Sequence, residues 1–326
     1  MLAYTAGRLA LFVPMVVGIV VVTFVIMQLL PGDTAIILLG EDATPQMLAE
    51  TRAALGLDKP WYVRLGTYFA DLARGDLGRS AFLNESVANI IAPRLWATLE
   101  LALVALLISV VLGMVLGVAA ALWRGTLVDT FAMLFAQIGV SMPVFWLGIL
   151  LMLLLAVNLG WLPAIGRGEP LSSAFGMALA GNPGPLLDSL AHLAMPALTL
   201  GLNSAAVISR LVRSAMLETL NQDFIRTAHA KGLLVGRVIL VHGLRNALLP
   251  IVSVIGLRFG ALLGGAVLTE NIFGWPGLGQ LAVSAMSQRD IPLIQGVVLC
   301  FALLFALVNL IVDLAYTVID PRVRLD

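Results

Sequence analysis

The chain has 326 residues, of which 60% are hydrophobic and 12% are charged, and its formal net charge is zero. Soluble domains contain about 45–50% apolar and about 25% charged residues, so a soluble fold could not bury this apolar excess. The zero net charge gives no electrostatic reason to expect binding to nucleic acid. The single cysteine, Cys300, excludes an internal disulfide and is interpreted as a small packing residue.

Six apolar segments are long enough to cross a membrane, which takes roughly 20 residues. Five of them carry at most one charge each, and the fourth in chain order is weaker because it contains Asn203 and ends near Arg210. The segments are 9–30, 97–123, 131–160, 193–212, 247–269 and 291–319. We therefore expect an all-α integral membrane protein with about six transmembrane helices.

The basic residues of the short loops predict the orientation, because lysine and arginine accumulate on the cytoplasmic side. With the N-terminus inside, the outer short loops carry only Arg167 and Arg289. The inner segments carry Arg8, Arg124, Arg210, Arg213, Arg226, Lys231, Arg237, Arg245, Arg322 and Arg324. We expect both termini to lie in the cytoplasm.

The segment between the first two spans is expected to be folded. Thr44 followed by Pro45 is a typical helix start, and Gly56 is a plausible stop. A second amphipathic helix is predicted over 60–73. The sequence does not decide whether this outer shelf receives a soluble partner or rests on lipid headgroups. The predicted division is 1–30 for the N-terminal end and first span, 31–96 for the extracytoplasmic helical segment, and 97–326 for the transmembrane core.

Common catalytic and metal-binding motifs are missing. The sequence has neither the HExxH motif of zinc peptidases nor the GxxxxGK[ST] loop that holds the phosphates of ATP. The three histidines, His192, His229 and His242, have no ligand spacing. We expect no catalytic residue, no metal site and no cofactor in this chain, so an energised transporter would need separate ATPase subunits.

The inner loop 214–246 is too polar to cross the membrane and too rich in helix-forming residues to be a linker. Asn221 or Asp223 can cap a short amphipathic helix, and Gly232 can terminate it. A second helix through Val238 and Leu244 is expected to lead into the fifth span. The first helix alone indicates contact with either a protein or a lipid surface.

Motifs along the whole chain resemble one family. The stretch RTAHAKG at 226–232 is similar to the cytoplasmic EAA loop of ABC importer permeases, in the form found in the dipeptide, oligopeptide and nickel group. Further similar motifs are LLPGD at 29–33, GDLGRS at 75–80, PRLWATLEL at 93–101, HGLRNALLP at 242–250, ENIFGWPGLG at 270–279 and DPRVRL at 320–325. Arg226 and Thr227 stand where the wider superfamily has Glu-Ala, and Leu244-Arg245 stands where it often has Leu-Pro.

The resemblance implies the type I ABC importer permease fold and a plasma-membrane location in a bacterium. It implies a pseudo-twofold heterodimer with a homologous permease, two ATPase subunits that bind ATP and Mg²⁺, and an extracytoplasmic substrate-binding protein. It also implies alternating access driven by the ATPases. The residues expected to couple to the ATPase are Phe224, Ile225, Arg226, Thr227, Ala228, His229, Ala230, Lys231 and Gly232.

Two intramembrane features suggest a path or a packing role. Gly256, Gly260 and Gly264 recur on one face of the fifth span, which favours close helix packing over a substrate groove. Arg258 on the same span is expected either to pair with Asp313 or to face the path and attract a substrate carboxylate.

The turn at Trp275, Pro276 and Gly277 is a candidate gate at the mouth of the path, in which proline fixes φ and Gly277 is free to adopt a positive φ. A rigid re-entrant cap is the alternative interpretation of this turn.

The sequence thus favours a permease subunit of a binding-protein-dependent importer for dipeptides, oligopeptides or a related small substrate. A stand-alone secondary transporter or channel is the alternative, although the chain shows no clear inverted repeat and only isolated intramembrane charges. A membrane enzyme would need a set of catalytic residues, and the sequence shows no such set. The motifs leave the substrate open among dipeptides, longer peptides, glutathione-like molecules, opines and nickel chelates.

Overall fold

The computed structural model describes residues 2–29, 34–39, 43–54 and 56–319, and almost all of them are helical. The helices are α1 (Leu2–Leu29), α2 (Thr34–Leu39), α3 (Pro45–Ala54), α4 (Trp61–Ala73), α5 (Val87–Leu122), α6 (Leu127–Ser141), α7 (Val144–Leu151), α8 (Leu171–Leu179), α9 (Gly184–Leu220), α10 (Asp223–Ala230), α11 (Val235–Arg237), α12 (Arg245–Ile272), α13 (Leu278–Gln288) and α14 (Ile291–Ile319). Two π-helical stretches, Met152–Asn158 and Val238–Leu244, follow α7 and α11 without a break. The predicted all-α class is confirmed.

Four helices contain a stretch long and apolar enough to cross a membrane, namely α5, α9, Pro250–Ile272 of α12 and Ile291–Val312 of α14. A fifth span results if α6 and α7 together count as one. In α1 the apolar stretch found among the described residues, Ala10–Ile26, is shorter than these. The described residues therefore show four or five spans, and the count of six stays a prediction.

The third predicted span is not one continuous helix. α6 and the helix that begins at Val144 are bent by 108° at Met142 and Pro143. Met142 has extended backbone angles, φ −79° and ψ 126°. Proline favours this geometry, because it lacks an amide proton and disfavours the helical conformation of the residue before it. The expectation of one uninterrupted helix over 131–160 was wrong.

The fourth span is longer than predicted, because α9 extends beyond both ends of 193–212. Its 37 residues, at 1.5 Å each, make a rod of about 56 Å, against about 30 Å for the hydrocarbon core of a bilayer. At least one end of α9 must therefore extend beyond the hydrocarbon core, where its charged side chains can meet water.

The contacts divide the chain into two compact units, which are described separately. Unit 1 comprises Leu99–Trp275 and the end of α14 from Ile311, and unit 2 comprises Leu2–Thr98 and Pro276–Leu310. The core of unit 1 is built by side chains of α9 and α12 and by the end of α5. Its buried members are Ala121, Ile208, Val212, Ala215, Met216, Ala247 and Ile251.

Unit 2 has its own apolar core, formed by the start of α5, by α13 and by the start of α14. Its buried members are Val87, Ile90, Ile91, Leu278, Leu281, Ala282, Ala285, Leu293, Ile294 and Val297. The helices predicted over 45–56 and 60–73 are present as α3 and α4. The Thr44 hydroxyl accepts the amide of Met47 at 3.3 Å, and Gly56 has φ +64°, so the predicted start and stop of α3 are confirmed.

A buried carboxylate holds the turn before α5 against the start of α14 in unit 2. Asp290 is fully buried and accepts a hydrogen bond from the hydroxyl of Ser80. It also accepts the amides of Ala81 and Phe82, both at 3.3 Å, and that of Leu293 at 3.2 Å. One side chain thus satisfies four donors and fixes the conformation of the turn.

We expect Asp290→Asn to lower the free energy of unfolding by about 2–3 kcal/mol, because an amide nitrogen then faces buried donors that have lost a charged acceptor. Thermal unfolding of the purified protein in detergent measures the loss. The control is Asp71→Asn, which removes an exposed ion pair with Arg74 and should change stability by less than about 0.5 kcal/mol. Equal stability of the two variants would contradict the role of Asp290.

Candidate functional site

The short helix α10 begins without a side-chain cap. Its N-cap is Gln222, in extended conformation, and Asp223 is the first helical residue. Asn221 instead donates its side-chain amide to the carbonyl of Leu217 at the end of α9. The expectation that Asn221 or Asp223 caps α10 was therefore wrong. Asp223 still stabilises the first turn, because a negative charge is favourable at the N-terminus of a helix.

Gly232 ends α10, as predicted. Its φ is +73°, its amide donates to the carbonyl of His229 at 2.9 Å, and the amide of Leu233 donates to Ala228 at 3.3 Å. A Cβ at this position would meet nothing within 4 Å. Glycine is therefore required by the left-handed backbone alone and not by a close neighbour.

The two faces of α10 have different surroundings. Ile225 and Ala228 are buried in a small apolar cluster with Val238, and Leu233 packs against it. The remaining predicted coupling residues are exposed, namely Phe224, Arg226, Thr227, His229, Ala230, Lys231 and Gly232. Ile225 and Ala228 thus hold α10 on its own chain, and only the exposed residues are available to another subunit.

The chain after α10 reaches α12 through the π-helical stretch Val238–Leu244. The predicted second helix is present, although its turns are wider than α-helical ones. A Cβ at Gly243 would lie 3.1 Å from Cδ2 of Leu220 and 3.6 Å from Cε of Met216, so this stretch lies close against α9. The last turns of α9, the stretch Val238–Leu244 and α10 therefore form one packed assembly.

The turn at 273–277 differs from the prediction in its backbone. Gly274 has the positive φ, +57°, whereas Gly277 is extended, with φ −103° and ψ −173°, and is the N-cap of α13. The left-handed position of this turn is therefore Gly274, and Gly277 does not use its freedom to adopt a positive φ. Trp275 is buried, and its amide donates to the carbonyl of Glu270 at 2.8 Å.

Trp275 lies beside an ion pair that the sequence did not reveal. Arg167 pairs with Glu100, and both side chains are largely buried. The guanidinium carbon of Arg167 lies 5.4 Å from the centroid of the Trp275 ring, and Glu100 also accepts the amide of Leu171 at 3.3 Å. In this conformation Trp275 is packed inside unit 1, as a rigid cap requires, and its role as a gate stays a prediction.

Arg258 lies half-buried on α12. The side chain of Asp313 lies outside the part of the chain that the structure describes, so their pairing stays a prediction. A Cβ at Gly256 would lie 2.5 Å from both methyl groups of Val312, whereas a Cβ at Gly264 would meet nothing within 4 Å. The glycine face predicted on this helix therefore packs closely at Gly256 but not along its whole length.

Comparison with known proteins decides the family. Residues 113–325 match the family described as binding-protein-dependent transport system inner membrane component, and residues 1–102 match the N-terminal family of such membrane components. The chain is 43% identical to the dipeptide transport system permease protein DppB of Alkalihalophilus pseudofirmus, over 99% of this chain and 100% of that one. It is 44% identical to DppB of Escherichia coli K12, over 99% of both chains.

The chain belongs to the family of binding-protein-dependent transport system inner membrane components. It is also 41% identical, over 99% of both chains, to the glutathione transport system permease protein GsiC of Salmonella typhimurium. A chain of the inward-facing MetNI methionine ABC transporter has the same fold, with a TM-score of 0.56 and 18% identity over 71% of this chain and 96% of that one. The protein is therefore a membrane-embedded ABC importer permease with the type I fold.

The permease contains two ion pairs that sequence reasoning did not find, one largely buried and one partly buried. Glu100 was noted only as a lone charge in an apolar span, and Arg167 only as an outer-loop charge. Asp129 and Arg213 form the second pair, at 2.7 Å. A lone acid in an apolar span does signal that a partner exists, because an unpaired charge is costly there. The identity of the partner is set by the fold, since 67 and 84 residues separate the paired side chains.

We expect Gly232→Ala to fray the end of α10, because a left-handed residue with a Cβ costs roughly 1–2 kcal/mol. Hydrogen exchange at the amides of Gly232 and Leu233 should become faster. Gly236→Ala is the matched control, since Gly236 lies in α11 with nothing within 4 Å of its Cβ position, and alanine favours a helix there. The same exchange rates in both variants would contradict the requirement for glycine at 232.

Proposed function

We propose that this permease forms, together with a homologous second permease, the membrane path of an importer for dipeptides and related short peptides. The observation that carries the proposal is its similarity, from end to end, to relatives named as dipeptide, di/tripeptide and glutathione permeases, at 41–45% identity over 99% of this chain. Permeases named for methionine share only the fold. Short peptides are the chemistry common to the more similar relatives.

Transport in this proposal is driven from the cytoplasm. Two ATPase subunits bind ATP and Mg²⁺, while this chain binds no cofactor, and a soluble binding protein delivers the peptide from the outer side. Both termini face the cytoplasm, in agreement with the excess of lysine and arginine in the inner segments. Closure of the ATPases moves α10, and the permeases alternate between inward- and outward-facing states.

Reconstitution tests the proposal. The complete complex, with both permeases, the ATPases and the binding protein, should import a labelled dipeptide into proteoliposomes when ATP is supplied. Unlabelled di- and tripeptides should compete, and glutathione should compete only weakly. Import of glutathione, an opine or a nickel chelate without competition from dipeptides would overturn the proposed substrate class while leaving the permease family unchanged.

The exposed face of α10 generates a prediction about assembly. Phe224 is 43% exposed although it is a large apolar side chain, as expected of a residue that inserts into a partner. We expect Phe224→Ala to weaken ATPase binding about tenfold or more, since a buried aromatic anchor is worth about 2 kcal/mol or more. Co-purification of the ATPases measures the effect.

The control for Phe224 is Phe82→Ala, which removes an even more exposed ring from the turn before α5. It should leave ATPase recovery unchanged, because that turn belongs to unit 2 and is predicted to lie on the outer side. Normal recovery of the ATPases with Phe224→Ala would assign the docking contact to other exposed residues.

A second prediction concerns Arg258, which we propose faces the path and attracts the peptide carboxylate through a weak, hydrated contact. Arg258→Gln should then raise the KM for peptides with a free C-terminus by about 3–5-fold, the size expected of a solvent-screened charge contact. The KM for C-terminally amidated peptides should not change. The control is Arg74→Gln, an exposed residue just after α4. Equal effects on both classes of peptide would contradict a carboxylate contact.

A further inference from the structure

A partly buried ion pair joins the start of α6 to α9. The carboxylate of Asp129 accepts Nε of Arg213 at 2.7 Å and Nη2 at 2.8 Å, and it also accepts the amide of Gly125 at 3.0 Å. The side chain of Asp129 is 9% exposed and that of Arg213 is 26% exposed. Two parallel hydrogen bonds fix the relative orientation of the helices as well as their distance.

The pair lies on a continuous line of contacts that begins at α10. Ile225 and Ala228 of α10 pack on Val238. The stretch Val238–Leu244 lies against α9 at Met216, close to Cα of Gly243. Arg213 stands three residues before Met216, which is one turn along the same side of α9. These contacts form a continuous route from α10 to the end of α9 and on to Asp129 of α6.

The other end of α6 is a break in the helix. The helix stops at Ser141, and the chain turns by 108° at Met142 and Pro143. Just before the bend, the side-chain amide of Asn203 on α9 donates to the carbonyl of Gly139 at 2.9 Å. α6 is thus tied to α9 at both ends and separated from α7 by a break.

We propose that Asp129 and Arg213 are positioning residues for transport and act as a coupling clamp. The clamp makes α6 move as one body with α9 and α10, and the bend at Met142 and Pro143 is the hinge against α7. Without the clamp, α6 still packs on α9 and keeps the bond near Gly139, but it loses the two-pronged contact that fixes its start to the end of α9. This inference rests on the proposed function, because it requires that α10 receive the motion of the ATPases.

The first test compares coupling with assembly in the complete reconstituted complex. Asp129→Asn and Arg213→Gln should each reduce the peptide imported per ATP hydrolysed by about 3–30-fold, the range expected for mutations along a coupling route. Arg213→Lys keeps the charge but loses the two-pronged contact. Its import per ATP hydrolysed should lie between that of the neutral variants and that of the wild type. Asp71→Asn, which breaks an exposed ion pair, is the control and should leave the ratio unchanged.

The double variant Asp129→Asn with Arg213→Gln separates coupling from stability. It leaves no unpaired charge behind, so the amount of assembled complex should recover relative to either single change. The import per ATP should stay low, because the neutral pair lacks the charge-assisted contact. Recovery of both assembly and import per ATP would show a purely structural pair and overturn the proposal, as would a wild-type ratio in the single variants.

A distance measurement tests the clamp without reference to the substrate. Spin labels are placed at Leu127→Cys on α6 and Ser214→Cys on α9, both exposed positions, after Cys300→Ala removes the native thiol. The distance between them should stay the same when the complex binds ATP, and Asp129→Asn should broaden it. A distance that changes with ATP in the otherwise native chain would overturn the clamp. Failure of peptide import alone would overturn only the substrate class.

Discussion

Close packing against α9 is the constraint on which unit 1 depends. In lipid there is little hydrophobic force between helices, so van der Waals contact at short range has to hold them together. Glycines supply that contact on several neighbours of α9. A Cβ at Gly113 or Gly117 of α5 would lie 2.6 or 2.5 Å from side chains of α9, and one at Gly139 of α6 would lie 2.8 Å from the Cβ of Ala206. The backbones of α5 and α6 thus lie directly against side chains of α9. α9 is therefore the central helix of unit 1.

Polar contacts then fix how far the helices can slide or rotate against one another, which apolar packing alone leaves adjustable. Smooth apolar helices can slide or rotate, because lipid-facing and helix-facing surfaces have similar chemistry. The pair of Asp129 with Arg213, and the bond from Asn203 to the carbonyl of Gly139, fix the register of α6 on α9. The pair of Glu100 with Arg167 fixes the loop before α8 against α5. For Glu100 the pairing also avoids an unpaired charge inside an apolar span, where such a charge is costly.

The sequence predicts local features of this fold much better than contacts between distant residues. Hydropathy located the long helices, Thr44 gave the start of α3, and Gly232 gave the end of α10, because each depends on neighbours along the chain. The bend at Pro143 was missed because proline alone does not decide it. Pro93, Pro196 and Pro250 lie inside continuous helices. The partners of Glu100 and Asp129 could not be predicted, since only the folded chain brings them together.

The candidate coupling helix shows why a correct motif still leaves the roles of its residues open. The amphipathic pattern of 223–230 predicts an apolar face, but it does not say whether that face meets another subunit or the same chain. In the structure Ile225 and Ala228 face Val238. A helix that transmits force needs this arrangement, because an element attached only through flexible ends would move with its partner without displacing the rest of the permease. In the proposed function, the buried face carries the motion inward and the exposed face with Phe224 receives it.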